Sequence, residues 1–387
     1  MYAAFAVFGG FWGVWGASIP AIRDQAVVTD GQLGTALMLV GAGALPAMLV
    51  TGRLVDRWAG RTAAAFLTLL GMVGVLVAVT ARDLTGLSIG LAGLGASSGA
   101  ADVSINALAG SAQRASARPV ISRAHATFSA AVVVASLVTG ALRTLDAPLV
   151  TPFVLLAAAA VAVAVCLVAA TDPQRSGPDH AGRSGRVDRR TRGRIPVAIA
   201  PLVFLGALGA IAFAVENGHQ SWSALYLQDV LGAGALTASA GPAVFAAVVA
   251  VTRLAASNLS NRHPTAVLLT GSVVAAAGTA LVGAAWTVPI GLLGLSIAAA
   301  GTAVLFPTLL GILTMRVRDE VRGSATSVVS AIAYLGFLGG PGYVGRWAGA
   351  VELPGAMFAL AVLAAVLALL VGVGVRGVSA RERIDHS

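Results

Sequence analysis

The chain contains no lysine, so all 25 of its basic residues are arginine, and charged residues of either sign make up only 11% of it. Aromatic residues account for 6%, and the single cysteine, Cys166, excludes both an internal disulfide and a thiolate metal cluster. Cys166 is expected to be a packing residue. No Walker loop is present and no stretch suits a soluble nucleotide-binding domain, which excludes ATP-driven work within this chain. Cysteine and histidine do not occur at metal-ligand spacing, and the intramembrane acids are few and scattered over different segments. Neither cofactor, metal nor enzymatic activity is expected.

Hydrophobic residues are plentiful, at 57% of the chain with a mean hydropathy of +0.88, which marks a lipid-solvated protein. A hydrocarbon core of roughly 30 Å is crossed by about 20 apolar residues in a helix. Runs of that kind, bounded by charge, proline or glycine, cover approximately 3–22, 33–52, 62–80, 86–113, 119–143, 149–170, 196–217, 237–257, 264–285, 288–313, 324–348 and 354–375. They read as twelve transmembrane helices, because backbone groups in lipid must bond within their own segment. A membrane barrel would show alternating segments of about ten residues instead.

The formal charge of +9 and the pI near 11.2 would suit a nucleic-acid binder, but the positions of the arginines point elsewhere. Arg53, Arg57, Arg61, Arg114, Arg118, the seven from Arg175 to Arg194, Arg316, Arg318, Arg322, Arg381 and Arg383 fall in alternate connections. Arg23, Arg82, Arg143 and Arg346 occupy the others. The positive-inside rule then places both termini in the cytoplasm of a multi-pass inner-membrane protein whose partners are the bilayer and a small molecule, with no nucleic acid. Met1 stands almost inside the first apolar run without a basic leader, which argues against a signal peptide. The stretch 174–195, rich in arginine, glycine and serine, reads as a cytoplasmic linker between halves at 1–173 and 196–387.

An internal repeat supports those halves. GRLVDRWAGR, from Gly52 to Arg61, lies between two apolar runs, and a degraded copy, TRLAASNLSNR, from Thr252 to Arg262, lies between two more. Halves repeated in this way are typical of transporters whose bundles rock against each other around a central site. The seventh segment continues past Glu216, Asn217, Gly218, His219 and Gln220 into SWSALYLQDVLG, and a straight helix from Pro196 to Val230 would be about 50 Å long. A bend or break near Gly218 is predicted, with Trp222 and Tyr226 at the outer interface.

GRLVDRWAGR resembles the signature loop of the major facilitator superfamily, although Ala59 stands where the family has its second glycine. Gly95–Ala107, Arg118–Ser129, Glu216–Ala233 and Ala333–Gly345 are similar to bacterial members of the fucose-permease branch. The resemblance implies an all-α membrane fold of twelve helices in two pseudo-symmetric six-helix bundles. It also implies alternating access, proton symport of a small, sugar-like polar solute, and a monomer. The fifth segment has no proline between Thr127 and Leu142, so the antiporter signature is missing; drug or metabolite efflux is the alternative, and a sensor or enzyme on a transporter scaffold the one from another class.

Asp102, near the middle of a long run and flanked by Gly99, Ala100, Ala101 and Val103, is the leading candidate for proton coupling. A charge at that depth costs about 2.5 to 3.5 kcal/mol and must face a polar interior. A site open alternately to two sides can change both its solvation and its neighbours, as coupling requires. The alternative is a structural carboxylate paired with Arg123. Glu216 is the second coupling candidate. Asn106, one turn from Asp102, together with Asn217, Gln220, Trp15, Tyr334 and His125, are substrate-binding candidates. Gly52, Asp56, Arg57 and Arg61 are expected to serve gating.

Overall fold

Each apolar run forms a helix in the computed structural model, which describes residues 1–116, 118–170 and 199–384. The expected linker, 174–195, lies outside the described residues. Ten helices are long and apolar enough to cross a membrane: α1 (Tyr2–Ala26), α2 (Asp30–Val55), α3 (Gly60–Thr80), α4 (Leu84–Ser116), α5 (Val120–Thr144), α6 (Val150–Ala170), α7 (Ile199–Val230), α8 (Ala235–Ser260), α9 (Pro264–Gly283) and α10 (Val288–Met315). One further apolar stretch, Val321–Val373, holds two spans. Its backbone leaves the helical region at Val351 and Glu352, the latter at φ 62° and ψ 173°, which separates α11 (321–350) from α12 (353–373). Twelve spans result, and the described residues contain no strand.

The connections are tighter than the sequence suggests. The signature stretch from Gly52 to Arg61 is helical rather than a loop. The chain nevertheless reverses there, because Thr62 Oγ1 donates to Leu54 O at 3.3 Å, whereas a straight helix would hold those residues roughly 12 Å apart. Cys166 also departs from expectation. It is exposed beside Val165 and Val161 on the lipid-facing side of α6, so it packs against no core.

Packing inside the two halves repeats with an offset of six helices. A side chain at Gly9 in α1 would strike the backbone of Phe128 in α5, and one at Gly336 in α11 would strike that of Ala210 in α7. Gly71 in α3 likewise lies on Ala157 of α6, as Gly283 in α9 lies on Phe358 of α12. Small residues at these crossings let the backbones meet, which substitutes for the hydrophobic drive that lipid removes.

The halves touch each other at the end towards which α1 runs. Gly34 of α2 meets Gly345 of α11 backbone to backbone, and Gly140 of α5 leaves room for Ser239 and Leu236 of α8. Arg23 of α1 pairs there with Asp229 of α7 while also holding Asp24 and Asp30 at 3.0 Å each. At the opposite end a Cβ on Gly52, Gly311 or Gly323 would meet nothing within 4 Å. The contacts named between the halves therefore gather at one end, the shut one, and none of them lies at the other, the parted end.

Candidate functional site

Two prolines shape the wall contributed by the second half. Proline has no N–H, so it leaves the carbonyl four residues earlier without its helical donor. Pro307 frees the carbonyl of Ala303, where α10 is interrupted between Val288–Ala303 and Leu305–Arg316. Arg253 of α8 fills the gap, its Nε donating to Ala303 O at 3.1 Å. Pro341 frees the carbonyl of Phe337 in α11, and Asn217 of α7 donates its Nδ2 there at 2.6 Å. The amide of Asn217, expected to bind substrate, is thus committed to backbone.

Glu216 precedes Asn217 and is 9% exposed. One terminal nitrogen of Arg253 reaches both of its carboxylate oxygens, at 3.1 and 3.3 Å, and Gln220 adds a bond at 3.3 Å. The pair makes each charge tolerable at this depth. Arg253 itself was not singled out from the sequence, because it occupies the position of Arg53 in the degraded copy of a connecting loop. The signal was nonetheless present, since the apolar run from 237 to 257 continues around it.

The predicted break at Gly218 does not occur. Helix α7 runs unbroken through Gly218, where a Cβ would press on Leu360 and Val344, and loosens into a π-helical turn only at Tyr226–Val230. Trp222 and Tyr226, expected at the outer interface, are instead buried. Trp222 donates to Pro341 O at 3.2 Å and Tyr226 to Val282 O at 2.6 Å. His219 turns away from the first half, bonding Thr279 Oγ1 at 2.8 Å and stacking on Phe245.

The first half contributes Asp102, Asn106 and His125. Asp102 is half-buried on α4, and Asn106 donates its Nδ2 to the Asp102 carboxylate at 2.9 Å and to its carbonyl at 3.0 Å. Among the described residues Asp102 makes no ion pair, with Arg123 or any other cation. Tyr334 belongs to an aromatic group with Phe213, Phe306 and Phe337, whose ring centroids lie 4.3 to 6.4 Å apart. His125 on α5 is exposed and lies edge-on to Phe5 at 5.4 Å. The polar groups thus fall in two sets, Asp102 with Asn106 in the first half and Glu216 with Gln220 and Arg253 in the second, and the space between the halves is the candidate chamber.

The remaining sequence candidates lie elsewhere. Trp15 is 4% exposed within the α1 core and presents no free face to a ligand. Arg57 and Arg61 are exposed at the parted end, Arg57 stacking on Trp58 at 5.0 Å, and Gly52 stands near them in open space. Asp56 is helical, but its side chain lies outside what the structure describes.

Two helical bundles that repeat each other's packing, built of helices long and apolar enough to cross a membrane, define a polytopic membrane protein. The chain belongs to the Major Facilitator Superfamily, whose family model matches residues 1–341. An uncharacterized MFS-type transporter of Yersinia pestis is 27% identical over 340 residues, covering 84% of this chain and 82% of its own. An uncharacterized transporter of Sinorhizobium fredii is also 27% identical, over 358 residues and 91% of both chains. Among solved structures, a bacterial homolog of the human lysosomal transporter Spinster, inward-facing and unoccupied, aligns with a TM-score of 0.75 at 17% identity over 97% of this chain and 95% of its own. The nucleoside transporter NupG aligns at 0.73 and 14% identity over 96% of both. These two structures bear on the fold alone.

Proposed function

We propose that this transporter carries a small polar solute across an inner membrane together with protons, as a monomer of two bundles joined through the 174–195 linker. The observation that carries the coupling role is Asp102, a half-buried carboxylate whose one hydrogen-bond partner among the described residues is the neutral Asn106. Without a fixed counter-charge, its protonation responds to which side the chamber faces. Glu216 is the second coupling group. The positive-inside rule favours the arginine-rich end as the cytoplasmic one, and on that reading the parted end faces inward, as in the inward-open state of an alternating cycle. The Phe213, Phe306, Tyr334 and Phe337 rings offer flat apolar faces of the kind a sugar ring or a nucleoside uses, in keeping with the fucose-permease resemblance and with the name of the NupG neighbour.

The test is Asp102→Asn in proteoliposomes. This change keeps the shape and the bond to Asn106 but carries no proton, so uphill accumulation driven by a proton gradient should vanish while exchange of labelled for unlabelled solute survives. A potential of 100 mV supplies about 2.3 kcal/mol per charge, so the attainable concentration ratio should fall roughly fiftyfold. Wild-type accumulation by the variant would remove Asp102 from the coupling role. Loss of exchange as well would make it a ligand or a structural group.

A further inference from the structure

Arg253 stands roughly 27 Å along α8 from Ala235 and about 10 Å from Ser260, within the span, and its side chain is 43% exposed. Its bonds are only partly spent. Nε is held by Ala303 O and Nη2 by Glu216, whereas Nη1 has no hydrogen-bond partner among the described residues. A guanidinium edge left unspent in this way takes an anion, because the charge on Arg253 and its remaining N–H donors are then satisfied together. The planar fork of a guanidinium suits a carboxylate or a phosphate, with two N–H donors meeting two oxygens.

We infer that the transported solute carries an anionic group, a carboxylate or a phosphate, which docks on the free edge of Arg253 in competition with Glu216. This rests on the chamber being the transport site. The polar and aromatic groups around it then hold the uncharged remainder of the solute, and Arg253 decides which solutes enter.

The test uses the purified full chain and matched probes: glucose and glycerol as neutral members, gluconate and glycerate as carboxylates, glucose 6-phosphate and glycerol 3-phosphate as phosphates. A carboxylate or a phosphate should raise the melting temperature where its neutral counterpart does not, and the comparison between the two anion sets tells which group is recognised. Arg253→Gln should weaken that binding about tenfold or more, the worth of a charge-assisted pair, with Arg253→Lys intermediate. Glu216→Gln should strengthen it, because the competitor is gone. A merely structural ion pair predicts weakening in both variants, so the opposite signs are the discriminating result. Stabilisation by neutral probes alone, by no probe, or equally in Arg253→Gln overturns the inference. Uptake of a neutral solute in proteoliposomes would leave the transport reading standing while removing this one. Anion binding without any uptake would do the reverse.

Discussion

Asn217 and Arg253 solve the same local problem, a carbonyl orphaned by a proline on a neighbouring helix. Asn217→Leu keeps the bulk but leaves Phe337 O without its donor, at a cost of about 1 to 3 kcal/mol. The melting temperature should drop while the affinity for a stabilising probe stays as in wild type. Lost affinity in a variant of normal stability would return Asn217 to the binding set. The sequence marks Asn217 as a polar group in an apolar run, which is why it stood out, but its partner arises from Pro341, remote in the chain and visible only once α7 and α11 cross. Asp102 was legible for the opposite reason. Its surroundings within α4 are small and apolar, so nothing local can neutralise it, and among the described residues no cation pairs with it.

At the scale of the helices, apolar length was a reliable guide because lipid enforces it, and each predicted run is a span in the structure. What hydropathy cannot convey is whether a glycine loosens a helix or lets two helices meet. Gly218 was read in the first sense and serves in the second, seated against Leu360 and Val344. Gly52 bears on this directly. It has nothing within 4 Å in the present state, so a side chain there is harmless now and obstructive only when the parted end closes. Gly52→Val should therefore slow transport and favour the form parted at that end, while affinity for a stabilising probe from that side changes little. Loss of binding in a folded variant would place the stretch in the site instead.

At the scale of the whole molecule, the arginine asymmetry predicts which end meets the cytoplasm. The exposed thiol of Cys166 is first replaced by serine, and single cysteines are then introduced at His263, on the parted end, and at Thr287, on the shut end. In intact cells an impermeant reagent should label the second and not the first; the reverse pattern would invert the orientation. How the halves close on each other was not legible, because Arg23, Asp30 and Asp229 are distributed over three helices and meet only through the packing of Gly34 on Gly345. The prolines of α10 and α11 have a mechanical consequence. Their bends are each braced by a single side chain, Arg253 or Asn217, borrowed from a neighbour in the same half. A helix braced at one point is a spring with a catch, and removing the catch softens it without unfolding it. These two helices should accordingly be more compliant than α4, which has no proline, with deuterium entering the amides around Ala303 and Phe337 sooner than those of α4.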